Sequence, residues 1–156
     1  MSEMRILTVR QPWAWAIVHG SKDVENRVRN IAGDYRGSVA IHVAKAIAKI
    51  DYRSYLSVER SGYNTKADQH LGEIIGVVDI VGVHEGGQTG CAPDVDDPTR
   101  LMWCSEWAEP IAQHLVLANP RPLAEPIPYR GALGLRRLDD ETTARILAQM
   151  EVPHAV

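Results

Sequence analysis

The chain has 156 residues, 45% of them hydrophobic, and a formal net charge of −3. That is enough apolar side chain for one ordinary core and too little chain to suggest a second, so one domain over 1–156 is expected, with its core at about 5–138. No run of about 18 apolar residues is present to span a bilayer, and the first residues lack the basic and apolar segments of a secretory signal. A cytoplasmic protein with no membrane partner is expected. Charge is unevenly placed: residues 1–50 hold eight Lys/Arg against four Asp/Glu, and the remainder nine against sixteen. An anion site is therefore expected from the first third of the chain.

In chain order, Arg5–Val9 reads as a strand. Pro12 opens the apolar run Trp13 to Val18, closed by His19-Gly20, which predicts a helix over 12–19 with Pro in its first turn and Gly past its end. Val24, Asn26 and Val28 then alternate with Asp23, Glu25, Arg27 and Arg29, a period-two pattern that predicts a strand with one charged face. After the turn at Ala32-Gly33-Asp34, Val39, Ile41 and Val43 alternate with Ala40 and His42, a second strand that turns His42 away from the Val/Ile face. An imperfect helical pattern runs from Lys45 to about Leu56.

Leu71–Val83 is the most β-rich segment, and Gly72, Gly76 and Gly82 within it suggest the bulges that a curved sheet needs. Glu85–Pro98 has loop composition and is acidic, a possible surface for a protein partner. Trp103 and Trp107 would share a face if their segment were helical. His114–Leu117 reads as a strand, and Pro120, Pro122, Pro126 and Pro128 force an extended path after it. Ala132–Leu138 reads as a last strand. A terminal helix over about 140–150 follows, with Asp139, Asp140 and Glu141 at its dipole-favoured start.

Cys91 and Cys104 stand at no metal-ligand spacing, and the six histidines form no local ligand pair, so neither a metal, a cofactor nor a disulfide is expected. The charged strand carries the chemistry instead. Glu25 and Arg27 point the same way, and Lys22 sits in the turn before them. Arg offers a planar fork to phosphate, Glu can accept from a base amino group or relay a proton, and Lys in a partly dry cleft can act as base or nucleophile. The bland alternative is a solvated ion-pair ladder. His42, Lys45 and Arg130 can approach the same cleft, and Trp13 can stack a nucleobase where the other tryptophans fill the core.

The segment Leu7 to Ala14, followed by Gly20, Lys22, Glu25 and Arg27 in the pattern G-x-K-x-x-E-x-R, resembles the opening of ASCH domains. The resemblance continues through Arg36–Lys45, Leu71–Val83, Pro120–Leu123 and Tyr129–Leu135. It implies an α+β fold: a PUA-like curved, mostly antiparallel β-barrel with helices packed outside. It also implies a cleft lined by the signature residues, and the ligand-binding candidates taken together are Gln11, Trp13, Lys22, Glu25, Arg27, His42, Lys45 and Arg130. The ligand expected there is RNA, a nucleotide or a modified nucleoside. An alternative is a hydrolase, either a ribonuclease or an N4-acetylcytidine amidohydrolase, with Lys22 and Glu25 as catalytic groups. The small amidohydrolases of this kind place Thr where Glu25 stands, so that hydroxyl is missing here.

Overall fold

The computed structural model describes residues 3–151. Among them, strands β1 (Arg5–Val9), β2 (Val24–Arg27), β3 (Gly37–Val43), β4 (Glu73–Glu85), β5 (Ala92–Pro93), β6 (Leu101–Met102), β7 (Gln113–Pro128) and β8 (Leu135–Arg137) alternate with helices α1 (Trp13–His19), α2 (Tyr52–Arg60) and α3 (Asp140–Glu151). Six strands form one curled sheet in the order β2-β7-β4-β3-β1-β8, and β5 pairs with β6 in a small separate hairpin. Only β1 and β3 run parallel. This is the mostly antiparallel, half-barrel form of the PUA-like fold.

The curl comes from β4 and β7, whose pairing shifts register between Ile74 and Gly76, between Val77 and Asp79, and between Ile80 and Gly82. Each shift leaves extra residues unpaired, the longest run of them on β7 between Pro122 and Ile127, and tightens the local twist. Gly76 also lies where α1 crosses, since a Cβ there would stand 2.6 Å from Val18 Cγ1 and 2.9 Å from the Arg121 carbonyl. β2 pairs only with residues 113–116 of β7. Beyond Leu117, whose amide bonds the Asp23 carbonyl, no strand among the described residues pairs with β7 on that side, which is how four prolines fit in a strand.

Period-two alternation gives the sheet two apolar faces. Leu7, Val9, Val39, Ile41, Val43, Val78 and Ile80 pack with Ala14, Ile17 and Val18 of α1. Met4, Ile6, Ala40, Ile74 and Val77 pack with Leu138 and Ile146, under α3. The outer side of α1 is covered in turn, because Trp15 and Ala16 meet Val58 of α2 and Tyr63. The whole run Ala14–Val18 is therefore buried.

Several elements differ from the sequence reading. β2 ends at Arg27, leaving Val28 94% exposed and Arg29 in a bend. The middle helix starts at Tyr52, not Lys45, because Asp51 caps it by accepting from the Arg53 and Ser54 amides. The last strand shortens to Leu135–Arg137, since residues 130–134 loop over β1. The segment holding Trp103 and Trp107 is turn rather than helix. Among the described residues, no helix is long and apolar enough to cross a membrane.

Asp139 caps α3: its carboxylate accepts from the Thr142 amide at 2.7 Å and from the Tyr129 hydroxyl at 2.6 Å. The Tyr129 hydrogen bond, then the Thr142 amide, hold this carboxyl below its ordinary value. A depressed carboxyl adds stability above its unfolded pKa of about 3.9 and loses it as pH falls through the lower folded value. Asp139→Ala should cost about 1 kcal/mol at pH 7, or about 2–4 °C in Tm for a chain of this size. In thermal melts followed by circular dichroism the gap to wild type should narrow below about pH 4. A gap of constant size at all pH values would count against an ionised cap.

Candidate functional site

A broad open cleft of about 1670 Å³ lies where the curled sheet brings β2 toward β1, with the 128–134 loop as its far wall. The turn after α1 starts this site. Gly20 ends the helix, and Ser21 takes a left-handed φ of 62° that swings Lys22 back toward the helix, where its amide bonds the Ala16 carbonyl. Lys22 is thereby buried, with 4% exposure. Its Nζ donates to the Val24 carbonyl at 2.5 Å and reaches Glu25 Oε1 at 3.4 Å. It also lies 5.8 Å from the centre of the Trp13 ring.

Glu25, only 6% exposed, is the acidic group at the floor of the cleft. Its second oxygen accepts from Arg27 at 3.2 Å, and the same Arg27 nitrogen donates to the Thr8 carbonyl at 3.1 Å. The period-two reading thus brings Lys22, Glu25 and Arg27 together, but not as three equivalent groups. Glu25 and Arg27 line the cleft, whereas Lys22 stands behind Glu25 and does not.

His42 is 2% exposed and tied at both ring nitrogens. Nε2 lies 2.7 Å from the Tyr129 carbonyl, which can only accept, so Nε2 carries the proton. The bare Nδ1 then accepts from the Thr8 hydroxyl at 3.1 Å, and that hydroxyl receives the Ala132 amide at 3.3 Å. Gly131 lies flat over this pair: a Cβ there would stand 2.7 Å from His42 Cε1 and 2.8 Å from Thr8 Oγ1. A hydroxyl beside an imidazole resembles a nucleophile and its base, and both line the cleft, but both ring nitrogens and the hydroxyl are already committed and Gly131 packs closely against the pair.

Lys45 and Arg130 are exposed on the cleft rim, as the sequence placed them, and Trp13 is half-buried in its wall. The Trp107 ring braces Trp13 edge-on, with centroids 6.3 Å apart and planes at 81°. Gln11 lies elsewhere. It is fully buried, its amide nitrogen donates to the Asp68 and Gln69 carbonyls at 3.0 and 2.9 Å, and its oxygen accepts the Trp15 amide at 2.9 Å. Those bonds consume most of its capacity, so it pins the start of α1 to the 68–69 segment. The sequence reading missed Arg10, Lys49, Thr8, Asn26 and Tyr129, all in the cleft lining. Arg10 and Lys49 had a usable signal in the positive charge of residues 1–50. The others depend on cross-strand register.

A second cluster overturns the expectation that the cysteines and histidines are scattered. His84, Cys91, Cys104 and His114 place one ligand atom each within 4.8 Å of one another. The two histidines are directly opposite on β4 and β7, and the two cysteines flank the β5–β6 hairpin.

A curled mixed sheet, three helices and a polar cleft at the sheet seam define an α+β protein of the PUA-like class. The sequence profile of the ASCH domain matches residues 7–126, and the chain belongs to the ASCH domain family. The crystal structure of ASCH from Zymomonas mobilis is similar to it with a TM-score of 0.54 at 17% identity, covering 93% of this chain and 94% of that one. A tyrosine-to-phenylalanine mutant of the Zymomonas mobilis protein gives 0.54 at 17% identity over 94% and 98% of the two chains. A serine-to-alanine mutant gives 0.51 at 16% over 93% and 94%. At such identity the likeness concerns the fold alone.

Removing one partner from a buried charge pair costs about 3 kcal/mol, because the other charge stays desolvated. Lys22→Met should therefore destabilise the fold by about that amount in urea titrations. Lys22→Met combined with Glu25→Gln should recover part of it. Purely additive losses would mean that the two side chains do not act as a pair.

Proposed function

We propose that the cleft binds short single-stranded RNA, or a nucleotide or modified nucleoside of the same chemistry. The observation that carries this reading is a buried carboxylate, Glu25, at the floor of an open cleft rimmed by cations. Arg10, Arg27, Lys45, Lys49 and Arg130 line it against two carboxylates, Glu25 and Glu73, in a chain that is negative as a whole. Glu73 is already paired with His70 at 3.1 Å. Such a rim attracts phosphate, while a fixed carboxylate accepts from the exocyclic amino group of a base. Trp13 in the wall supplies a stacking surface.

The hydrolase reading is the less supported one. Lys22 is engaged by a carbonyl and a carboxylate behind the cleft, and His42 has both ring nitrogens committed to Thr8 and Tyr129. The acidic segment 85–98 lies outside the cleft lining, so a protein contact there is separable from ligand binding.

Binding of short fluorescent single-stranded RNAs by anisotropy, with products followed on the same samples, tests the proposal. With four rim cations besides Arg27, log affinity should fall against log salt with a slope between about −2 and −3, at about 0.7 per phosphate contact. Trp13→Ala should cost about 1–3 kcal/mol of binding. Glu25→Gln should change base preference more than salt dependence. Salt-independent binding would refute phosphate recognition by the rim, and RNA turnover that Glu25→Gln abolishes while affinity holds would refute a binding module.

A further inference from the structure

The excursion between β4 and β7, residues 86–112, is long and places no fully buried apolar side chain in the core, only the half-buried Trp107 against the cluster of Trp15, Val58 and Tyr63. Its only regular structure is the exposed β5–β6 hairpin. Segments of this length without a core need another source of order. The cluster of His84, Cys91, Cys104 and His114 sits at the neck of this excursion, where both of its ends leave the sheet.

Three of the six distances within the cluster match those of a tetrahedral metal site, and all lie within 4.8 Å. With Zn–S bonds of about 2.3 Å and Zn–N bonds of about 2.0–2.1 Å, neighbouring ligand atoms stand about 3.3 Å apart for N···N and about 3.6 Å for S···N. His114 Nδ1 lies 3.3 Å from His84 Nε2, 3.4 Å from Cys91 Sγ and 3.5 Å from Cys104 Sγ. Three edges of the tetrahedron are therefore in place, and both cysteines are free thiols.

Hydrogen bonding does not account for this convergence. His114 is fully buried, and its Nε2 is 2.7 Å from the Glu109 carbonyl, to which it must donate. Nδ1 is then a single lone pair aimed at three atoms at once, where one hydrogen bond would satisfy it. A carbonyl fixing the far nitrogen of a ligand histidine is the usual outer support of a metal site. Sequence spacing hides the set, because one histidine pair is made by strand register and each cysteine comes from a different arm of the hairpin.

We propose that His84, Cys91, Cys104 and His114 bind one zinc ion in a closed Cys2His2 site that orders the 86–112 excursion. Four protein ligands leave no open position, so the role is structural rather than catalytic. The hairpin it ties is in turn docked on the β2 edge, where Ser105 donates to the Asp23 carboxylate and Asn26 bonds both the Trp107 carbonyl and the Glu109 amide at 2.9 Å. This proposal does not depend on what the cleft binds.

The test is metal content of the full chain purified from zinc-supplemented medium, measured by mass spectrometry beside Cys104→Ser, His84→Gln and Cys91→Ser/Cys104→Ser. Wild type should hold one zinc per chain, and its cobalt-substituted form should show the strong ligand-field and thiolate charge-transfer bands of a tetrahedral site. The double variant should lose stoichiometric zinc, and Cys104→Ser should bind it at least about 100-fold more weakly, beyond the loss typical of an outer-shell change. A chelator should lower the Tm of wild type and leave that of the double variant unchanged. Circular dichroism is the check that Cys104→Ser, altered at an exposed position, is folded. Wild-type protein with no zinc and no tetrahedral cobalt spectrum overturns the proposal. So does zinc retained in full by the double variant, which would place the ion elsewhere.

Discussion

The contact on which the cleft depends is the bond from Arg27 to the Thr8 carbonyl. β2 ends the sheet order on one side, and β1 is next to last on the other, so no ladder of backbone bonds joins them. Arg27 crosses that seam at 3.1 Å and is held in place by Glu25 at 3.2 Å. Glu25 is in turn backed by Lys22, whose ammonium is fixed by the Val24 carbonyl. A carboxylate this buried is costly without partners, so the array tolerates few geometries. It sets the distance between β2 and β1 and with it the width of the cleft.

Thr8 serves both walls. Its carbonyl takes Arg27 from the β2 side, while its hydroxyl meets His42 and receives the Ala132 amide from the 128–134 side. His42 reaches across to Tyr129, whose hydroxyl bonds Asp139 at the start of α3. A continuous line of polar contacts thus joins the first strand, the third strand, the cleft loop and the last helix. The groups on that line have their hydrogen-bonding capacity committed. The cations of the rim other than Arg27, by contrast, stand exposed and able to meet a ligand.

Much of this was legible in the sequence. The G-x-K-x-x-E-x-R pattern located the turn and strand that carry the buried charges, and period two put Glu25 and Arg27 on one face. Alternation also predicted that His42 turns away from Val39, Ile41 and Val43, and the strand glycines at 76 and 82 marked two of the bulges. Depth was not legible. Nothing local tells that Lys22 lies behind Glu25 rather than beside it, because a left-handed Ser21 decides the matter. Gln11 was a site candidate because it lies in the Leu7–Ala14 segment that resembles ASCH domains, but its partners come from residues 68 and 69, far along the chain. The middle helix was misplaced because apolar spacing outweighed the capping signal of Asp51.

The cleft and the Cys2His2 cluster share one ladder. Asn26, in the cleft lining, is opposite His114 in the β2–β7 register, and its side chain grips the chain at Trp107 and Glu109. The Glu109 carbonyl accepts from His114, and the Trp107 ring braces Trp13. The 86–112 excursion therefore reaches the cleft through two short paths, one along Asn26 and one through the indole pair. Because the excursion has no apolar core of its own, the order of Trp107 rests on the contacts at its neck, on Asn26 and on its packing against the cluster of Trp15, Val58 and Tyr63. In a chain with four tryptophans and no phenylalanine, Trp13 and Trp107 both rest on that cluster, so the polar clasp at Asn26 fixes the position of an indole that a core already supports.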